Sequence, residues 1–216
     1  MQAGRIAGAA LIVSALASVG LMHMHPTGHQ VLANGGAALP LNVAVHTVAL
    51  IAAPMTLYGL TEFARRLGLE RPSALAGLVA YAFGTMAILA SAVMSGFVAT
   101  SVSQHMLHPG ANPADPNTLA LLLRYGGWIN RGFTTVFIGA TAAAMTIWSL
   151  GLLVQRRLLP VALLGLLIGI GLVVFLAGGA AMFDVHGFLL VVMAQAVWII
   201  AVGVVLVARP DWRAAS

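Results

Sequence analysis

The chain is 216 residues long, 61% hydrophobic and 7% charged, whereas a soluble domain carries roughly a quarter charged residues, so a water-soluble globule is excluded. Its ten cationic side chains are all arginine and outnumber five acids for a formal charge of +5. They stand singly or in pairs between apolar runs rather than massed on one polar face, which argues against a nucleic-acid partner. Cysteine is absent, which removes disulfides, thiolate metal sites, cysteine nucleophiles and iron–sulfur ligation.

A helix needs about 20 apolar residues to cross the hydrocarbon core of a bilayer. Six runs reach that length, at 6–24, 41–63, 74–100, 133–154, 161–182 and 187–208. A closed barrel would need short alternating strands, and these runs are long, continuous and rich in Leu and Ala. The expected fold is therefore all-α: one domain over 1–216, a polytopic integral membrane protein built as a six-transmembrane-helix bundle.

In chain order, Arg5 and the first run, with Ala15-Leu16-Ala17, also resemble a secretory signal peptide, whose cleavage would leave five spans. We read the run as a span. Connections 25–40 and 101–130 are long, and those at 64–73 and 155–160 are short and carry arginine. Pro54 removes an amide from the middle of the second span and is expected to kink it. The third span overshoots into Ser101–His108 until Pro109 and Gly110 stop it, and 119–125 reads as an interfacial segment. Gly165-x-x-x-Gly169 suits close helix packing in the fifth span.

Positively charged loops stay on the cytoplasmic side. With both termini inside, Arg5, Arg65, Arg66, Arg71, Arg156, Arg157, Arg209 and Arg213 lie inside and only Arg124 and Arg131 outside. The expected location is the cytoplasmic membrane (the inner membrane of a bacterium), N-in and C-in, with 25–40 and 101–130 as outer loops.

All seven histidines then fall in outward-facing halves. Counting about 20 residues at 1.5 Å each from every cytoplasmic end puts His23, His25, His46 and His186 within one helical turn of the outer boundary. His105 and His108 lie beyond it, at i and i+3. Asn130, Arg131, Thr134, Thr135 and Asp184 gather at the same level.

Imidazole is the commonest protein metal ligand, and thioether sulfur suits soft copper. Met22-His23-Met24-His25 and His105-Met106-Leu107-His108 interleave the two, so His23, His25, His46, His105, His108, His186, Met24 and Met106 are candidate copper ligands. Haem b competes for the same rings. His46 is the foremost axial candidate because it enters a span, His186, His105 or His25 could oppose it, and Arg131 could pair with a propionate. The functional expectation is redox chemistry, electron transport or metal handling on the outer face, with a quinone or other membrane subunits as partners.

Three other readings are weaker or less specific. A non-enzymatic accessory subunit or scaffold would leave the histidines locally satisfied. A transporter wants ionisable groups near the midplane, where Gln195 is the strongest polar residue and Glu62 and Glu70 lie at the inner edge. Ser95-Gly96 with His186-Gly187 faintly resembles the dyad of the six-span rhomboid proteases, but their Gly-x-Ser-Gly is missing.

Overall fold

A computed structural model describes residues 2–27, 33–110, 115–178 and 185–209, excluding the side chains of 33–34 and 185–186. His29, Asp184, Arg213 and the His186 side chain, all named above, lie outside the described residues. Six helices are long and apolar enough to cross a membrane: α1 (Gln2–Met24), α2 (Leu39–Leu67), α3 (Pro72–Leu107), α4 (Pro116–Val154), α5 (Leu159–Ala177) and α6 (Val185–Ala208). A 3₁₀ turn, Ala33–Gly36, precedes α2.

Local chemistry sets the helix starts. Helices α2, α3, α4 and α5 each carry proline in the first two positions, where its missing amide costs nothing and its fixed φ favours the first turn. At α4 the Asp115 carboxylate also accepts from the Thr118 amide and hydroxyl, both at 3.0 Å, a side-chain N-cap. Gly68, at φ +92°, ends α2 in a conformation open to glycine.

The helices alternate in direction, and each of α1 to α5 packs on the next. Helix α1 closes the ring against α6, where Gly8 and Gly203 face each other so closely that a Cβ on either would meet the other's carbonyl. The seven described arginines assigned to one side of the membrane cluster at one end, and Arg124 and Arg131 sit at the other. We call these the arginine end and the histidine end.

The arginine end is solid. Phe63, Trp148 and Trp198 are fully buried there, with the two indoles stacked at 5.9 Å and Phe63 edge-on to both. Trp148 donates to the Ala74 carbonyl of α3 and lies on Gly77; Trp198 donates to the Val161 carbonyl of α5 and lies on Gly165. Gly169 is pressed against Thr146 and the Ala142 carbonyl of α4, so Gly165 and Gly169 both serve close packing. The Glu62 carboxylate, buried at the end of α2, accepts from Arg66 at 2.8 Å and Arg65 at 2.9 Å.

One expectation about connections is corrected. Segment 101–130 is not a loop: α3 stays helical to Leu107, and α4 begins at Pro116 and runs unbroken for 39 residues, about 58 Å. Residues 119–125 are therefore the second and third turns of α4. What extends the third helix is a π-turn at Met94–Val98. Helix α2 also runs through Pro54 as a single element.

Candidate functional site: a histidine pair at the mouth of a central cavity

Where the arginine end has tryptophan and phenylalanine, the other end has small residues. Ala49 and Ala53 on α2 and Ser91, Ala92 and Ser95 on α3 are too short to meet across the bundle. A cavity of about 220 Å³ opens between α1, α2, α3, α4 and α6. It reaches from His25, His46, Asn130 and Arg131 down to Thr56, Tyr81 and Gln195.

His25, just past the end of α1, and His46, buried on α2, meet at the mouth. Their rings are edge to face, with centroids 4.8 Å apart and Nε2 atoms 3.3 Å apart. The His46 Nδ1 bonds the Asn42 carbonyl at 2.7 Å and the His25 Nδ1 bonds the Pro26 carbonyl at 2.8 Å. A carbonyl only accepts, so each neutral ring carries its proton on Nδ1 and a bare lone pair on Nε2. Two lone pairs facing each other at 3.3 Å repel unless a proton or a cation lies between them. Burial lowers the His25 pKa from its ordinary value, and the Pro26 carbonyl opposes that shift.

His46 is held from behind. Gly96, inside the π-turn, lies against its ring, so that a Cβ there would collide with it. The buried Asn42 amide donates to the Ser95 carbonyl and to the Thr100 hydroxyl, both at 2.9 Å. A π-turn takes i→i+5 bonds and displaces one residue from the ordinary ladder; Asn42 bonds a carbonyl of that displaced stretch. Sequence reasoning missed Asn42, whose signal was an amide one turn before His46 inside an apolar run. Beside the pair, Ser91 donates to the Asn130 side chain and lies 3.3 Å from the Thr134 hydroxyl. At the cavity floor Gln195 Nε2 donates to Thr141 at 2.8 Å.

The other sequence candidates lie elsewhere. His23 and Met24 are exposed on the last turn of α1, and the thioether that lines the cavity is that of Met22. His105 and His108 border a separate open depression with Gly35, Gly36 and Leu39, and the His105 Nδ1 bonds the Ser101 carbonyl of its own helix. Met106 lies on that same helix, half-buried. Among the described residues no three His or acidic side chains stand close enough to share one metal ion.

Ligand geometry separates the two cofactor candidates. Imidazole nitrogens bound at about 2.0 Å to one tetrahedral ion sit about 3.3 Å apart, which matches the pair. Two axial ligands of a haem need about 4 Å and a macrocycle between them. His25 and His46 are in ring contact, so this pair does not accommodate a haem. No carboxylate lines the cavity among the described residues, which disfavours a divalent ion that needs its charge compensated.

The chain matches no known family model, no curated protein and no solved structure at a significant level.

Proposed function

We propose that the protein is a multi-pass protein of the cytoplasmic membrane, N-in and C-in, that binds one copper ion between His25 and His46 on its extracytoplasmic side and handles that metal or its electron there. The observation that carries the reading is the pair of committed Nδ1 protons, which leaves two Nε2 lone pairs 3.3 Å apart with no donor between them. Monovalent copper suits two neutral imidazoles, with the Met22 thioether on the same cavity wall, and it brings the least charge into an apolar setting. The segregation of arginine at the opposite end supports the orientation.

The test is metal analysis of protein purified in detergent under reducing conditions. One copper per chain is expected, retained in His105→Ala and lost in His25→Ala and in His46→Ala. A Soret band in the absorption spectrum would replace copper with haem. Absence of any metal, with the pair instead sharing a proton, would leave an accessory subunit or scaffold. Reporter fusions at both termini that read out as extracytoplasmic would overturn the orientation.

A further inference from the structure

Below the histidine pair the cavity continues into a region that contains no charge. Two polar side chains there are more than nine-tenths buried, Tyr81 and Gln195. The Gln195 amide nitrogen is used by Thr141, but its Oε1 and the Tyr81 hydroxyl have no hydrogen-bond partner among the described residues. Neither atom is sealed by packing: the fully enclosed, unpartnered polar side-chain atoms among the described residues are Ser149 Oγ and Gln155 Oε1. The Tyr81 donor and the Gln195 acceptor therefore open onto the cavity. An unmatched polar group at this depth costs free energy unless something in the cavity answers it.

Size, polarity and charge narrow what that can be. A 150 Å³ apolar cavity holds benzene, so about 220 Å³ accommodates a single substituted ring and not a fused system. The walls between floor and mouth are apolar, formed by Ala53, Ile88, Phe137, Phe188, Val192 and Ile199. With no ionisable side chain at the floor other than the Tyr81 phenol, the ligand is neutral. Tyr81 O–H needs an acceptor and Gln195 Oε1 needs a donor. A hydroxyl group is both, whereas a quinone carbonyl can satisfy only Tyr81.

We infer that the central cavity is a binding site for a neutral hydroxylated single-ring molecule of the phenol or hydroquinone class, with Tyr81 and Gln195 as its polar anchors. The inference does not depend on the metal at the mouth, because neither anchor touches His25 or His46.

The protein carries its own optical probe. Tyr81 stacks on Trp148 at 6.1 Å, and Trp148 stacks on Trp198, so a ring bound against Tyr81 changes indole emission. Hydroquinone, 1,4-benzoquinone and toluene are titrated into detergent-purified protein with fluorescence and calorimetric readouts. Saturable binding is expected, with hydroquinone at least tenfold tighter than toluene and tighter than benzoquinone. Tyr81→Phe and Gln195→Leu should each weaken hydroquinone about tenfold while leaving toluene binding and copper content unchanged. Gln195→Glu, which keeps an acceptor when charged or protonated, distinguishes a lost anchor from a misfolded bundle by retaining copper and toluene binding. Non-saturable hydroquinone binding, or equal affinity for hydroquinone and toluene, would overturn the assignment and leave a cavity filled by water. Loss of copper from wild type with hydroquinone binding intact would overturn the metal reading alone.

Discussion

The two ends of the bundle solve the same packing problem in opposite ways. At the arginine end, glycines at 77 and 165 let whole indoles lie flat against neighbouring helices, and each indole N–H reaches a first-turn carbonyl. At the histidine end, alanines and serines fail to meet, and the helices enclose space lined by imidazole, amide and hydroxyl groups. Small residues therefore have two uses in one fold: opposite a large ring they make a tight joint, and opposite one another they make a void. Stability is concentrated where the joints are, and chemistry is available where they are missing.

The sharpest way to break this comparison is to hollow out the solid end. Trp198→Ala removes a fully buried ring and its hydrogen bond and should cost about 3–5 kcal/mol, read as a large loss of thermal stability in detergent. A loss no greater than that of a cavity-lining substitution such as Ala53→Ser would show that the aromatic joint does not hold the bundle.

Asn42→Leu comes next, because it strands the Ser95 carbonyl and the Thr100 hydroxyl. The expected cost is about 1–3 kcal/mol, together with weaker copper retention, since the π-turn that backs His46 loses its tie to α2. Gly96→Ala should leave stability closer to wild type yet disturb the pair directly by pushing on the His46 ring. Copper retention unchanged in both variants would mean that the π-turn does not position His46.

The smallest effect lies beyond both ends, at the exposed start of α4. Bonds from the Thr118 hydroxyl and amide, and weaker ones from Asn117, hold the Asp115 carboxyl below its ordinary pKa. A carboxylate whose folded value is depressed contributes stability that is complete above the unfolded value of about 3.9 and is lost as pH falls through the folded value. Amide exchange at 116–119 should therefore accelerate in that acid range, and Asp115→Ala should exchange faster at every pH. Identical profiles for the two proteins would exclude the cap.

Much of the helical architecture was readable before any coordinates. Span length, the separation of arginine from histidine and the depth of His25 and His46 all follow from a rise of 1.5 Å per residue, which each helix obeys by itself. Lateral position does not follow from it. Whether two rings at one height touch depends on how each helix is rotated about its axis, and that is set by contacts with residues distant in the chain. His25 meets His46, while His23, two residues away, faces outward. Asn42 and Gly96 were invisible for the same reason: their importance lies in a π-turn on one helix facing an imidazole on another. The long connection was misjudged because its polar, proline-containing middle looked like the whole of it, and the helical extensions on either side carried the apolar periodicity.

The π-turn also has an evolutionary reading. An extra residue accommodated inside an α-helix leaves such a turn behind, and deleting one residue between Met94 and Val98 would restore a regular ladder. Everything beyond would then swing by about 100° about the helix axis. Thr100, which Asn42 now holds, would leave α2, and the far stretch of α3 with His105 and Gln104 would present a different face to its surroundings. The angular setting of that entire outer segment is thus controlled by one inserted amino acid, a change reachable in a single codon.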